Sequence, residues 1–185
     1  SLVGSEMCIR GRADGSVCTK TGWIKDKNKW YWIKDGSGRL AQNEWITYDN
    51  NRYYLKADGT MASSEWIDDT WYFKSWGGMY KGGWLKVDGV WYYLNEDGTK
   101  HADGWLYYLN NWYYLKDSGR MAANEWIKHD NNWYYFKSWG GMYHDEWLVK
   151  GGSSYYFRSW GGMYSSTTVT IGGRQYTFDE NGHKI

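Results

Sequence analysis

The sequence predicts an all-β chain, a solenoid of stacked β-hairpins with about eight to nine repeats of about 21 residues, on three observations. The first is a grid of aromatic residues. Segments open at Trp23, Trp45, Trp66, Trp84, Trp105, Trp126 and Trp147, with Thr168 ending the series, at steps of 18 to 22 residues and most often 21. Beside it runs a second grid: Trp30-Tyr31-Trp32, Arg52-Tyr53-Tyr54, Trp71-Tyr72-Phe73, Trp91-Tyr92-Tyr93, Trp112-Tyr113-Tyr114, Trp133-Tyr134-Tyr135, Tyr155-Tyr156-Phe157 and Tyr176-Thr177-Phe178. The second observation is a turn signal in nearly every unit, at Asp14-Gly15, Ser37-Gly38, Asp58-Gly59, Asp97-Gly98, Ser118-Gly119 and Asn181-Gly182. The third is that apolar surface comes mainly from amphipathic rings, since 21% of the residues are aromatic and Trp and Tyr far outnumber Phe. A fixed period near twenty residues, carried along the chain, signals small units stacked in an array.

The elements follow in order. Residues 1–12 lie off the grid, residues 13–167 form the hairpin repeats, and residues 168–185 form a capping hairpin. In the representative unit WLKVDGVWYYLNEDGTKHADG (residues 84–104), residues 91–94 are aromatic and extended in preference, which reads as a strand. Asn95-Glu96-Asp97-Gly98 supplies a turn, residues 99–102 return as the second strand, and the opening Trp falls in the link to the next hairpin. That Trp follows Gly22, Gly83 or Gly104 in some units and Glu44, Glu65, Glu125 or Glu146 in others. Alternation along a strand puts the first and third rings of Trp91-Tyr92-Tyr93 on one face and Tyr92 on the other. Each hairpin therefore offers rings to both neighbours, which a lone hairpin needs, being marginal in water. Three units replace the Asp-Gly turn by KSWGGMY or RSWGGMY (residues 74–80, 137–143 and 158–164), whose Trp76, Trp139 and Trp160 could extend the rim of a ring-lined cleft, pack between units or form a second surface, packing being preferred. The last unit loses its opening Trp, as a capping repeat should.

Several classes are disfavoured. A net charge of +1 without a basic run argues against nucleic acid, which requires a concentrated positive face. No apolar run approaches membrane-spanning length, so no membrane insertion is expected. His101, His129, His144 and His183 are scattered, and no nucleophile–base motif or metal-ligand spacing occurs, so neither catalysis, metal nor cofactor is expected. Cys8 and Cys18, aligned on the turns, fall on opposite strands, and a cross-strand disulfide and two free thiols both fit.

The rings form the core in part, yet bulky indoles beside a polar linker point to an exposed role. Ring faces meeting at a cleft suit a quaternary ammonium, which has no hydrogen-bond donor and is attracted by the ring quadrupole. Aromatic platforms also stack on sugars, and composition does not separate the two ligands. The pattern W-[IL]-x-x-x-x-x-W-Y-Y-[LF]-x-x-[DS]-G-x-M-A, as in WLYYLNNWYYLKDSGRMAANE and WITYDNNRYYLKADGTMASSE, adds information. It resembles the choline-binding repeats of Gram-positive cell-wall hydrolases and surface proteins, over about residues 13–185. The resemblance implies a left-handed β-solenoid with choline cages at hairpin junctions, each built from two Trp and a Tyr of adjacent units with Met or Leu as fourth wall. It implies choline-decorated teichoic acid as partner and a secreted or cell-surface location, bound to the wall.

Carried onto this chain, the cages would be Trp23, Trp30 and Tyr53; Trp66, Trp71 and Tyr92; Trp84, Trp91 and Tyr113; Trp105, Trp112 and Tyr134; and Trp126, Trp133 and Tyr156. Met61, Met79, Met121, Met142 and Met163 are the fourth-wall candidates. Arg52 stands where a Trp is expected, so a cage from Trp45 and Tyr72 should be dead. Trp147 with Tyr155 should be weak or empty, because Thr177 takes the third ring's place. The shorter step from Trp66 to Trp71 should distort that cage. The glutamates before the opening Trp are expected to be a solvated surface. The chain thus reads as a non-catalytic targeting module of a hydrolase or adhesin, with homodimer formation allowed. A glycan-binding repeat module and a structural spacer or self-association surface are the alternatives.

Overall fold

The computed structural model describes residues 20–34, 36 and 38–185. The segment 1–12, the Asp14-Gly15 turn, Cys8, Cys18 and Ser37 lie outside the described residues. The described residues form sixteen strands and no helix. They pair as eight antiparallel hairpins: β1 (Gly22–Asp26) with β2 (Lys29–Ile33), β3 (Glu44–Tyr48) with β4 (Asn51–Leu55), β5 (Glu65–Ile67) with β6 (Trp71–Phe73), and β7 (Gly83–Val87) with β8 (Val90–Leu94). Then follow β9 (Gly104–Tyr108) with β10 (Asn111–Leu115), β11 (Trp126–His129) with β12 (Asn132–Tyr135), β13 (Trp147–Lys150) with β14 (Ser153–Tyr156), and β15 (Thr167–Ile171) with β16 (Arg174–Phe178). The chain is all-β and built of hairpins, as the grid predicts.

The hairpin itself is drawn differently from the sequence expectation. The opening Trp is not in a link: it lies on the first strand and pairs across the hairpin, Trp23 opposite Trp32 and Trp105 opposite Tyr114. The strand turn falls at a pair such as Asp49-Asn50 or Leu109-Asn110, both residues of each pair at positive φ. Two consecutive left-handed residues make the type I′ turn, whose twist matches that of the flanking strands. The Asp-Gly turn further on returns the chain only to a single bridge, such as Leu55 to Met61 or Leu115 to Met121. There the Lys56 amide donates to the Thr60 carbonyl at 2.8 Å. Asp58 accepts from both the amide and hydroxyl of Thr60, which holds its carboxyl below the usual range.

Each strand pair ends on one fully buried side chain: Ile33, Leu55, Phe73, Leu94, Leu115, Phe136, Phe157 and Phe178. Burying such a side chain stabilises by about 1.5–3 kcal/mol, so each repeat has an apolar anchor at this place. Between units the backbone turns through a left-handed residue two places before the opening position: Asn43, Ser64, Asp103, Asn124, Asp145 or Ser166. The glutamates there are not merely solvated. Glu44, Glu65, Glu125 and Glu146 pair with Lys34, Lys56, Lys116 and Lys137 at 2.6–3.1 Å. Glu65 and Glu125 also accept the amides of Ser63 and Ala123, clamping the joint.

The chain divides into two compact units. One runs to Gly83 and includes Leu94–Lys100; the other comprises Trp84–Tyr93 and His101–Ile185. In the first, Ala62, Phe73 and Met79 pack with Trp45, Tyr54, Ile67 and Trp71. In the second, Tyr114, Ala122, Tyr134, Phe136 and Met142 pack with Trp105 and Ile127, and Tyr135, Leu148, Phe157 and Met163 with Trp126 and Tyr155.

Candidate functional site

On four of the described hairpins the opening Trp meets, diagonally across the strands, a second Trp three places before the buried Leu, Ile or Phe. Trp23 and Trp30 have centroids 6.4 Å apart at 85°, and Trp84 and Trp91 6.4 Å apart at 89°. Trp105 and Trp112 lie 6.2 Å apart at 90°, and Trp126 and Trp133 6.4 Å apart at 87°. Two indoles at right angles form the corner of a box. The following hairpin supplies the third wall from the residue two places before its own buried side chain. Tyr53 stands 4.8 Å from Trp23, Tyr113 4.9 Å from Trp84, Tyr134 4.7 Å from Trp105, and Tyr155 5.0 Å from Trp126.

The methionines close these corners. The amides of Met61, Met121, Met142 and Met163 donate to the carbonyls of Trp30, Trp91, Trp112 and Trp133 at 2.8–2.9 Å. Trp126, Trp133, Tyr155 and Met163 line a cleft of about 300 Å³ together with Glu180 and Asn181. Trp105, Trp112, Tyr134 and Met142 line one of about 310 Å³ together with Trp160. Each methionine also packs on the glycine of the next turn. Gly161 combines a φ of +91° with a side where any Cβ would collide with the Met142 thioether, so the turn requires glycine twice over.

Three expected residues are corrected. Tyr155, not Tyr156, walls the Trp126 box; Tyr156 lies opposite Trp147 in its own hairpin, 4.9 Å away. Trp71 is not a second Trp partnering Trp66: it stands 5.2 Å from Trp45 as a third wall, where Tyr72 was expected, while Tyr72 lies opposite Trp66. Tyr176, not Thr177, meets Trp147, at 4.9 Å. The common cause is register. The aromatic triplets align on their first ring in the sequence, but the structure aligns them on the buried residue ending the strand, so Trp71-Tyr72-Phe73, Tyr155-Tyr156-Phe157 and Tyr176-Thr177-Phe178 each shift by one. Of the expected trio Trp66, Trp71 and Tyr92, the first two lie in the first unit and Tyr92 in the second. Met79 serves the Trp45 position, its amide donating to the Arg52 carbonyl at 2.8 Å. The Arg52 guanidinium itself lies over the Trp45 ring, 4.2 Å from its centroid.

The SWGGMY turns also find a place. Trp76, Trp139 and Trp160 are about half exposed and stand edge-on to Tyr53, Tyr113 and Tyr134 at 6.0–6.1 Å, at the rims of three boxes. Each turn holds its own cation between two rings: Lys74 between Trp76 and Tyr80, Lys137 between Trp139 and Tyr143, Arg158 between Trp160 and Tyr164. A Cβ at the second glycine, Gly78, Gly141 or Gly162, would strike the indole, which explains Gly-Gly. Of the three places open to these indoles in the sequence, they take the rim rather than the preferred packing between repeats.

Electrostatically the boxes offer ring faces. Burial pushes the Tyr53, Tyr113 and Tyr134 phenols above their usual range, with nearby Asp49, Tyr108 and Asp130 adding to it. Three rings around one small space attract a cation through their quadrupoles, and a desolvated cation–π contact contributes about 2 kcal/mol. The second Trp of each box remains 40–44% exposed, leaving access for a ligand.

Comparison with known proteins agrees with this geometry. Models of the choline-binding repeat match residues 39–77 and 81–126, and a "Putative cell wall binding repeat" matches residues 21–40 and 124–142. Among curated proteins, a "Putative endo-beta-N-acetylglucosaminidase" of Streptococcus pneumoniae is 40% identical over 85 residues, 44% of this chain and 12% of that protein. The chain is therefore a small fraction of the length of the curated relatives it matches. Choline binding protein F of Streptococcus pneumoniae superposes with a TM-score of 0.70 at 32% identity, covering 90% of this chain and 58% of that one. CbpJ of Streptococcus pneumoniae TIGR4 gives 0.70 at 31% over 90% and 58%. The choline-binding domain of CbpL from Streptococcus pneumoniae gives 0.68 at 34% identity, covering 90% of this chain and 98% of that domain. With the hairpins, the Trp corners and near-complete coverage of a solved domain all in agreement, the chain belongs to the family of choline-binding repeat proteins.

Proposed function

We propose that this chain is a non-catalytic cell-wall-targeting module that binds the choline residues of teichoic acids, as part of a longer secreted or surface protein. The observation that carries the reading is the fourfold recurrence of one corner: two indoles near 90° at 6.2–6.4 Å, with a Tyr 4.7–5.0 Å from the opening Trp. Such a box suits a trimethylammonium, which needs apolar contact and ring faces and no hydrogen-bond acceptor. Several weak boxes suit a polymer carrying many cholines, because occupying one raises the effective concentration at the next, and avidity then exceeds single-site affinity by about 10²–10⁴. The similarity to choline binding proteins F, J and L supports this ligand. The test is a titration of intrinsic tryptophan fluorescence with choline chloride, with sodium chloride and glucose as controls. A saturable change with choline alone is expected; a response to an oligosaccharide but not to choline would move the chain to a glycan-binding class.

A further inference from the structure

Among the described residues four hairpins carry the paired indoles; three others that open with Trp, at Trp45, Trp66 and Trp147, do not. The residues three places before the buried side chain are there Arg52, Thr70 and Ser154, shown by the amides of Met79, Lys100 and Lys184, which donate to their carbonyls at 2.8–2.9 Å. In each of the three, a cation of the chain lies on the opening indole. The Arg52 guanidinium is 4.2 Å from the centroid of Trp45, and Trp71 stands edge-on to the same indole at 5.2 Å. The Lys100 ammonium is 5.1 Å from Trp66 and pairs with Asp69 at 2.8 Å, its side chain only 7% exposed. The Lys184 ammonium stands 5.9 Å from Trp147 and 5.1 Å from Tyr176, and those two rings are 4.9 Å apart.

Lys100 and Lys184 also occupy the position held elsewhere by the methionine wall, for they make the same single bridge, to Leu94 and Phe178, that Met121 and Met142 make to Leu115 and Phe136. Loss of the second Trp thus coincides three times with a cation on the ring that remains. A lysine carried into a nearly buried place forfeits hydration, and a ring face and a carboxylate are among the contacts that compensate Lys100.

We infer that these three positions are cation boxes closed by the chain's own side chains, Arg52, Lys100 and Lys184 standing in for an external trimethylammonium, so that the described residues hold four sites for ligand and three that are filled from within. This rests on the choline reading for the ligand of the four, but the closure itself is a property of the chain. It also differs from simple decay of a site, because a box that had merely lost a wall would reopen when the wall was restored, whereas a plugged box would not.

The experiment is calorimetric titration of choline chloride into the wild-type chain and three variants: Ser154→Trp, Lys184→Met, and both together. The wild type should bind four cholines. Ser154→Trp alone should still bind four, because the lysine remains on Trp147. Lys184→Met alone should gain at most a site too weak to count, with one wall short, and the double variant should bind five. Five sites in Ser154→Trp alone, or four in a folded double variant, would overturn the proposal, as would a wild type binding seven. A wild type that binds none would instead sink the choline reading. The closure then stands on a second readout, NMR of the Lys100 and Lys184 ε-methylene protons, which should be shifted upfield by ring current without ligand. Unshifted resonances would overturn the closure whatever the titration gives.

Discussion

Trp112→Ala tests whether each box acts alone. Trp112 is 44% exposed, forms one side of the corner with Trp105, and rests on Tyr107 5.0 Å away. Its carbonyl, which accepts from Met142, survives the substitution, so the strand and the methionine stay in place. What is lost is one ring face toward the cation, about 2 kcal/mol at a desolvated site, or roughly 30-fold in that site's affinity. At a choline concentration tenfold above the intact sites' dissociation constant, those sites are about 90% filled and the altered one about a quarter filled. Calorimetric titration should therefore report a stoichiometry near three, with the remaining sites unchanged in affinity and heat. A uniform weakening of all sites would refute the idea of independent boxes. An unchanged stoichiometry would remove Trp112 from the ligand. Trp105→Ala would be a poor choice, because that indole packs on Tyr114, Tyr134 and Phe136 as well and its loss would unsettle the fold.

Other outcomes follow from the same geometry. Phe157→Ala empties the fully buried anchor of its repeat and should cost about 3–5 kcal/mol, read as a fall in denaturation midpoint; a midpoint within a degree of wild type would contradict that anchoring role. Trp160→Ala removes a half-exposed rim from the Trp105 cleft, and should weaken choline at one site while leaving thermal stability nearly intact; a large loss of stability would make Trp160 a core residue instead. The phenols of Tyr53 and Tyr134, which are buried, and of Tyr113, which is half-buried, titrate above the ordinary value of 10.0, so the folded state holds its protons longer than the unfolded chain. The stability this gives is complete below about pH 10 and lost as the pH rises beyond it toward the folded value. The melting temperature should fall between pH 9 and 11, and less steeply in Tyr113→Phe; identical slopes would exclude Tyr113 as a contributor. Gly161→Ala should be strongly destabilising, since φ is +91° and Met142 fills the Cβ position, and a wild-type midpoint would disprove that packing.

Much of this was legible because aromatic residues recur at a fixed step, and a step is a property of sequence. The all-β class, the hairpin unit and four of the Trp pairs follow from it. The strand turn was misplaced because Asp97-Gly98 is the stronger glycine signal, while Asp49-Asn50 and Leu109-Asn110 carry their positive φ without glycine. Register was misread where the triplet's first ring is not the second Trp: Trp71 and Tyr155 are third walls. The alternation of faces did identify Tyr53, Tyr113 and Tyr134 as the rings meeting the preceding Trp. The lysine plugs could have been found by aligning on the bridge residue, since Lys100 and Lys184 then fall in the methionine column. What no spacing reveals is where a long flexible cation settles, because a lysine on a ring face and one in water have the same sequence.

Every complete box takes its indole corner from one hairpin and its Tyr from the next. A ligand in it touches two consecutive repeats and neither alone completes the site, so binding is also a fastening between them. In the second unit three such boxes follow in series, at Trp84, Trp105 and Trp126. Ligand at a hundred times its dissociation constant adds about 2.7 kcal/mol per site against separation of the repeats. A chain lying on a choline-rich surface would thus resist pulling and heating more than the same chain in solution, and its rigidity would report what it is attached to.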